Sequence, residues 1–303
     1  MGQPDRDQLT RVIALVNNKG GVFKTTLASN IAGLLAVSGQ RVLVVDLDPQ
    51  ASLAEDFGYT AAEDNDEGTS LAKAMMLGGT PEVRRDVRPG LDVIVGGKHV
   101  RGVPNYLRSK PADEAKLVLA NALAPIAGEY DMVLIDCPPG DELLQHNALA
   151  AARWVVVPTK SDSSSLKGLA GVAENFSNIV DVNPDIDLLG VVLVDVGTAA
   201  HAVKRRAVRD ITTMFGTEDP LIRTTVRHAE AIAQRTRNEG KLVIELEQAA
   251  KDDPKWWELR RGTATATDRV PDSVRGVAAD LQAITQELIE RVVAGESGEE
   301  GAS

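Results

Sequence analysis

Aromatic residues make up only 3% of this 303-residue chain, and cysteine occurs once, at Cys137. A lone thiol cannot supply an iron–sulfur cluster, which takes two or more cysteines of a chain, so Cys137 is expected to be a small buried residue. No apolar stretch reaches the roughly 18 residues of a membrane-spanning helix, and no charged-then-apolar leader opens the chain. Neither a span nor a secretory signal is therefore expected, and a cytoplasmic location is. Basic charge is also in deficit, with 33 Lys and Arg against 44 Asp and Glu, for a net charge of −11. Such a surface repels a phosphate backbone unless its cations are gathered on one face. What the chain has in plenty is aliphatic: 43% of residues are hydrophobic, with Ala, Val and Leu dominant, at a length ample for one large core.

Apolar runs of β type fall near residues 11–17, 41–46, 91–95, 131–136, 153–158 and 188–195, with helical patterns between most of them. Strands alternating with helices predict an α/β fold, a doubly wound, mostly parallel sheet flanked by helices on both faces. The expected organisation is a flexible N-terminus over 1–9 and a single domain over 10–293. Within it, 251–271 forms an irregular insertion and 272–293 a last helix, followed by a disordered acidic tail over 294–303. Residues 60–70 are acidic and turn-rich and are expected to be an exposed loop. The Trp256–Trp257 pair in the insertion is expected to pack at least one ring against the sheet domain. No internal repeat stands out.

Directly after the apolar run Val12–Val16 comes Asn18-Lys19-Gly20-Gly21-Val22-Phe23-Lys24-Thr25-Thr26. A strand feeding a lysine-ended glycine loop is built to hold phosphate: backbone N–H groups converge on the β-phosphate, and the following helix adds the positive end of its dipole. Lys24 is placed to reach the β- and γ-phosphates and the Thr25 hydroxyl to ligate Mg²⁺. The ordinary pattern asks for nothing near its start, whereas here Lys19 precedes the glycine pair, the deviant form of the P-loop. Two further runs end in acids: Arg41 to Val45 leads into Asp46-Leu47-Asp48-Pro49-Gln50, and Met132 to Ile135 leads into Asp136-Cys137-Pro138-Pro139-Gly140. In open parallel sheets the carboxyl ends of strands are where ligands sit. Asp136 reads as the Walker B acid, holding Mg²⁺ through water. Asp46 and Asp48 also fit an N-cap pair ahead of Ala51-Ser52-Leu53.

On these three segments the chain resembles the ParA/MinD family of P-loop ATPases, and within it the small, Soj-like ParA partition ATPases, over most of residues 10–250. The resemblance implies ATP and Mg²⁺ as cofactors, an ATP-dependent homodimer, and a trans role for Lys19, which in the family reaches the nucleotide of the partner subunit. It also implies that Asp48 orients the attacking water, that Asp46 supports the metal site, and that Pro138-Pro139-Gly140 is a second switch sensing the γ-phosphate. Phe23 departs from the family, which mostly has Gly there; a β-carbon is costly if the backbone needs φ > 0.

The family members bind DNA without sequence preference as ATP-bound dimers, through carboxyl-terminal basic residues. The candidates here are Lys204, Arg205, Arg206 and Arg209 on one predicted helix, then Arg223, Arg227, Arg235 and Arg237. Arg227 matches best, in Thr225-Val226-Arg227-His228-Ala229-Glu230-Ala231, whereas the arginine often found after the preceding long strand is Ala199 here. The Lys204 to Arg209 cluster also reads as a plain solvated helix face. A ParB-like centromere-binding partner that stimulates slow hydrolysis is implied, with a nucleoid-associated location. MinD-like membrane binding is disfavoured, because the acidic C-terminal stretch from Glu287 to Glu300 would be repelled by anionic lipid. Positioning of a protein cargo and a small-molecule P-loop enzyme stay open as alternatives. A sequence-specific repressor is not expected, since the P-loop starts too early to leave room for an amino-terminal DNA-reading domain.

Overall fold

The computed structural model describes residues 2–63, 65–197, 201–228, 230–251 and 270–300. Seven strands form one sheet: β1 (Val12–Leu15), β2 (Val42–Asp46), β3 (Arg84–Arg88), β4 (Leu91–Ile94), β5 (Met132–Asp136), β6 (Trp154–Thr159) and β7 (Asp187–Leu193). Their spatial order is β3-β4-β2-β5-β1-β6-β7. All neighbours run parallel except β3, which is antiparallel to β4. The doubly wound α/β expectation is met. The six expected strand runs are present, and β3 is the addition. Its sequence, Arg-Arg-Asp-Val-Arg, has no apolar pattern to announce it. It can be charged because it is an edge strand, and charge there guards against pairing with another chain.

The sheet's two faces are covered by different helices because successive side chains of a strand point to opposite sides. Val12, Ala14 and Val16 join the core on one face, and Ile13 and Leu15 the core on the other. The first core is roofed by α3 (Thr69–Leu77), α4 (Val103–Leu107), α5 (Ala112–Lys116), α6 (Val118–Ala127), α7 (Glu142–Ala151), α8 (Ser163–Ser177) and α9 (His201–Phe215). The second is roofed by α1 (Lys24–Val37), α2 (Ser52–Phe57), α10 (Glu230–Glu239), α11 (Val243–Ala249) and the last helix α12 (Val274–Glu300). Asp46 and Asp136 share the alternation of Val44 and Leu134, so both carboxylates fall on the face that α1 covers.

Both ends of the chain differ from expectation. Residues 5–9 are docked, not flexible: Arg6–Gln8 is a 3-10 turn capped by Asp5, and Leu9 is buried. Arg6 donates to the carbonyls of Ala150 and Val182, which ties the segment to α7 and to the chain beyond α8. At the other end α12 continues through residues 294–300 as helix rather than ending at 293. Two contacts hold it: Glu296 accepts from Arg11 Nε at 2.8 Å and Nη2 at 3.1 Å, and Gly295 lies so close to the Trp154 ring that a β-carbon there would come within 2.3 Å. Nearer the middle of the helix, Arg291 donates to the carbonyls of Leu189, Asp219 and Leu221 and to Glu287, buckling α12 to the sheet edge. The Trp256–Trp257 pair, Ala199 and nearly all of the 251–271 insertion lie outside the described residues.

Candidate nucleotide-binding site

The loop between β1 and α1 is held open from its first residue. Asn17 donates from Nδ2 to the Pro158 carbonyl at 2.8 Å and accepts from the Lys19 N–H at 2.8 Å, so one buried amide fixes both the start of the loop and its neighbour strand. The loop then turns at Gly21, φ 69°, and at Phe23, φ 64° and ψ 21°, into α1. Phe23 therefore does occupy the left-handed conformation in which a β-carbon costs about 1–2 kcal/mol. Lys24, buried, lays its ammonium across the loop, donating to the carbonyls of Asn17 and Lys19 at 3.1 Å each. Burial pulls its pKa below the ordinary lysine value, opposed by Asp136, Cys137 and Asp48. Gly20, Val22 and Thr26 complete the turn and the first helical residues around it.

Register sets the acids. β2 and β5 pair so that Asp46 lies opposite Asp136, and Asp136 lies opposite Leu15, the last residue of β1. The Thr25 hydroxyl donates to Asp136 Oδ2 at 2.7 Å, and Asp46 Oδ1 accepts the Asp48 N–H at 3.0 Å. The remaining oxygens, Asp46 Oδ2 and Asp136 Oδ1, are buried with no hydrogen-bond partner among the described residues. Two desolvated carboxylates side by side cannot both ionise cheaply. Burial, reinforced by Asp136, pushes Asp46 well above the carboxylate range. Burial likewise raises Asp136 to about 7, against the pull of the Thr25 hydrogen bond and Lys24. Orphaned hard oxygens next to a threonine hydroxyl fit a small divalent cation, which would satisfy them and lift the penalty. Asp48 faces the same edge, its Oδ1 accepting the Gln50 N–H at 2.8 Å. The N-cap reading of Asp46 and Asp48 does not hold: α2 is preceded by Ala51 with no side-chain cap.

Lys19 is turned away from its own loop. Its ammonium lies 2.8 Å from Asp162 Oδ1 and 3.0 Å from Ser165 Oγ at the start of α8. The Lys19 ammonium and the two hydrogen bonds from Ser165 hold the Asp162 carboxyl well below the usual range.

The basic candidates divide. Arg205, Arg206 and Arg209 are exposed on α9 with Lys204 half-buried beside them, and the one acid paired with them among the described residues is Asp210, 3.8 Å from Arg206. Arg223 is exposed. Arg227 is engaged: it grips Asp280 of α12 with two bonds of 2.7 and 2.8 Å, while Arg235 pairs with Glu239 and Arg237 stands 4.0 Å from Asp56. Exposed cations thus gather on α9 and not around the best motif match.

Several residues that shape the site carried no sequence signal. Gly96, after β4, abuts Asp46 so closely that a β-carbon would lie 2.3 Å from the Asp46 carbonyl oxygen. Gln145 donates to the Pro138 carbonyl at 3.0 Å and accepts from Asn175, linking the Pro138-Pro139 turn to α8. Asn17, Asp162 and Ser165 were likewise unmarked, being ordinary residue types far apart in sequence.

Known proteins agree with this geometry. A family model described as an AAA domain (AAA_31) matches residues 10–188. The chromosome partitioning protein ParA of Caulobacter vibrioides is 34% identical over 227 residues, covering 73% of this chain and 83% of that protein. Among solved structures, cobyrinic acid a,c-diamide synthase from Mycobacterium smegmatis, with bound ADP and magnesium, superposes at a TM-score of 0.62 with 28% identity, over 76% of this chain and 92% of that one. A point variant of McdA from Cyanothece, solved as an ATP complex, shares the fold at a TM-score of 0.70 with 18% identity, over 92% and 96% of the two chains. With a P-loop that begins K-G-G, two strand-end acids in register and a curated relative matched over most of its length, the chain belongs to the ParA family of P-loop ATPases.

Proposed function

We propose that this protein is a DNA partition ATPase: ATP and Mg²⁺ close two subunits into a dimer, the dimer binds DNA without sequence preference, and hydrolysis stimulated by a ParB-like centromere-binding partner releases it. The observation that carries the reading is the direction of Lys19. The loop already supplies Lys24 to its own phosphates, so a second ammonium parked on α8 at the rim, 2.8 Å from Asp162, is available to the anion of a facing subunit. The partition role of the Caulobacter relative supports the cargo class.

In this mechanism the N–H groups of Gly20 to Thr26 cradle the phosphates and Lys24 exchanges its two carbonyl partners for phosphate oxygens. Thr25, Asp46 and Asp136 would hold magnesium, which when bound would neutralise charge on the terminal phosphates. Asp48 holds the water that attacks. Asp48 Oδ1 also accepts the Gln50 N–H, and turnover by the isolated chain is expected to be slow. DNA lies on α9, through Lys204, Arg205, Arg206 and Arg209, with Arg223 alongside; Arg227 acts by holding α12 through Asp280, and Arg235 pairs with Glu239 within α10.

Light scattering with ADP, ATP and the Asp48→Ala variant in ATP, followed by salt-dependent DNA binding of each species, tests this. ATP and Asp48→Ala are expected to give dimers that bind DNA, and ADP a monomer that does not. A Lys19→Ala variant that dimerises and turns over like the wild type would remove the main support, as would rapid turnover by the isolated chain.

A further inference from the structure

One cluster at the same sheet edge takes no part in holding phosphate or metal. Asp46, Asp48 and Asp136 follow β2 and β5, on one side of β1. On the other side β6 and β7 lead into Lys160 and Asp195, whose side chains pair at 2.7 Å. His228 Nδ1 bonds the second Asp195 oxygen, and Asp195 itself is held at φ 60°. The Phe23 ring reaches toward this cluster: Lys160 Nζ lies 6.0 Å from its centroid, and the half-buried ring packs against the edge of the core on the face that α1 covers. Phe23 is also the strained residue of the loop, at φ 64° where glycine would sit without cost. Strain of this kind persists where the surroundings hold it, and it clusters at ligand sites.

Direction along the edge decides what lies there. The metal acids and Asp48 fix the terminal phosphate on the β2–β5 side, and the loop before α1 holds the phosphate chain in the middle. The nucleoside must then run out over the ends of β6 and β7. Resting on the nucleotide reading above, we infer that Phe23 is a specificity-determining residue: its ring, backed by Lys160 and the Asp195–His228 pair, is the apolar wall against which the nucleoside of the bound nucleotide lies. A planar ring gives contact area to a base or ribose at little conformational cost, and it distinguishes a nucleotide from bare polyphosphate, which the rest of the loop does not.

The test is calorimetric titration of the full chain with Mg-ATP and with inorganic tripolyphosphate, which has the phosphates and no nucleoside. Wild type, Phe23→Gly and Phe23→Leu are compared, with thermal melts to show that each is folded. Phe23→Gly is expected to weaken ATP about 5- to 10-fold, the scale of one aromatic contact, while leaving tripolyphosphate unchanged, because the loop strain is already present without ligand and its relief adds to stability rather than to affinity. Phe23→Leu, which keeps the β-carbon and loses the ring, is expected to fall between wild type and Phe23→Gly for ATP. Equal changes for both ligands, or tighter ATP binding by Phe23→Gly, would overturn the wall and leave the nucleotide reading intact. Wild-type protein that binds neither ligand would overturn both.

Discussion

Asp136→Asn separates the cost of the acid pair from its use. Asp136 is 1% exposed, and its pKa of about 7 stands well above the ordinary 3.8. For an acid whose folded pKa is raised, the folded state binds the extra proton between the two values, so stability falls as pH rises from about 4 to about 7 and is flat above. At 1.36 kcal/mol for each pH unit in that window, the raised pKa of Asp136 costs the metal-free fold up to about 4 kcal/mol at pH 8, where the buried group is ionised, and about 2 kcal/mol at pH 5, where the fold must hold it protonated while the unfolded chain does not. Asn keeps the shape and a partner for the Thr25 hydroxyl but carries no charge. Urea melts in EDTA are therefore expected to show Asp136→Asn more stable than wild type, by a margin that grows between pH 5 and pH 8. With Mg-ATP at a hundred times its Kd the wild type gains about 2.7 kcal/mol and the variant almost nothing, narrowing or reversing the order. Because Asp46 titrates with Asp136 as a pair, the midpoint read from the pH series belongs to both. A variant less stable than wild type in EDTA at pH 8, or a difference that does not change with pH, would refute the electrostatic argument.

Gly96→Ala forces a β-carbon to 2.3 Å from the Asp46 carbonyl; it is expected to cost about 2–4 kcal/mol in a denaturant melt and to weaken Mg²⁺-dependent stabilisation, since the end of β2 must move. Asp162→Ala removes the carboxylate that holds Lys19 in its own subunit, so ATP-dependent dimerisation measured by light scattering is expected to begin at lower protein concentration, while the monomer loses about 1–2 kcal/mol, mostly from the cap that Asp162 gives the Ser165 N–H at the start of α8. The Arg205→Ala/Arg209→Ala pair is expected to lower the slope of log K against log salt for DNA by about 2 without altering the melt. Arg227→Ala should instead destabilise the fold, because it strips a two-bond partner from Asp280 of α12. The reverse result for these two sets of arginines would move the DNA surface from α9 to the Arg227 segment.

Much of the site was legible because it is local. A glycine loop after an apolar strand and an acid at each of two strand ends are patterns of a few consecutive residues, and a parallel sheet puts every such end on one edge. The charged edge strand β3 escaped because an edge needs no apolar face. The docked chain ends escaped because their anchors, Arg6 on Ala150 and Glu296 on Arg11, are long-range and made by residue types that are usually solvated.

By itself, then, the sequence determined the α/β alternation, the phosphate loop with its two lysines, and the candidate metal acids, since backbone propensity and burial act through neighbours along the chain. Tertiary structure alone decided the rest. It set Asp46 opposite Asp136 so that burial raises both, and it parked Lys19 on an aspartate 143 residues away. It also spent the best-matching arginine on Asp280 while leaving those of α9 in solvent. Which partner a charge meets depends on sheet register and helix docking, and those are fixed by the whole core.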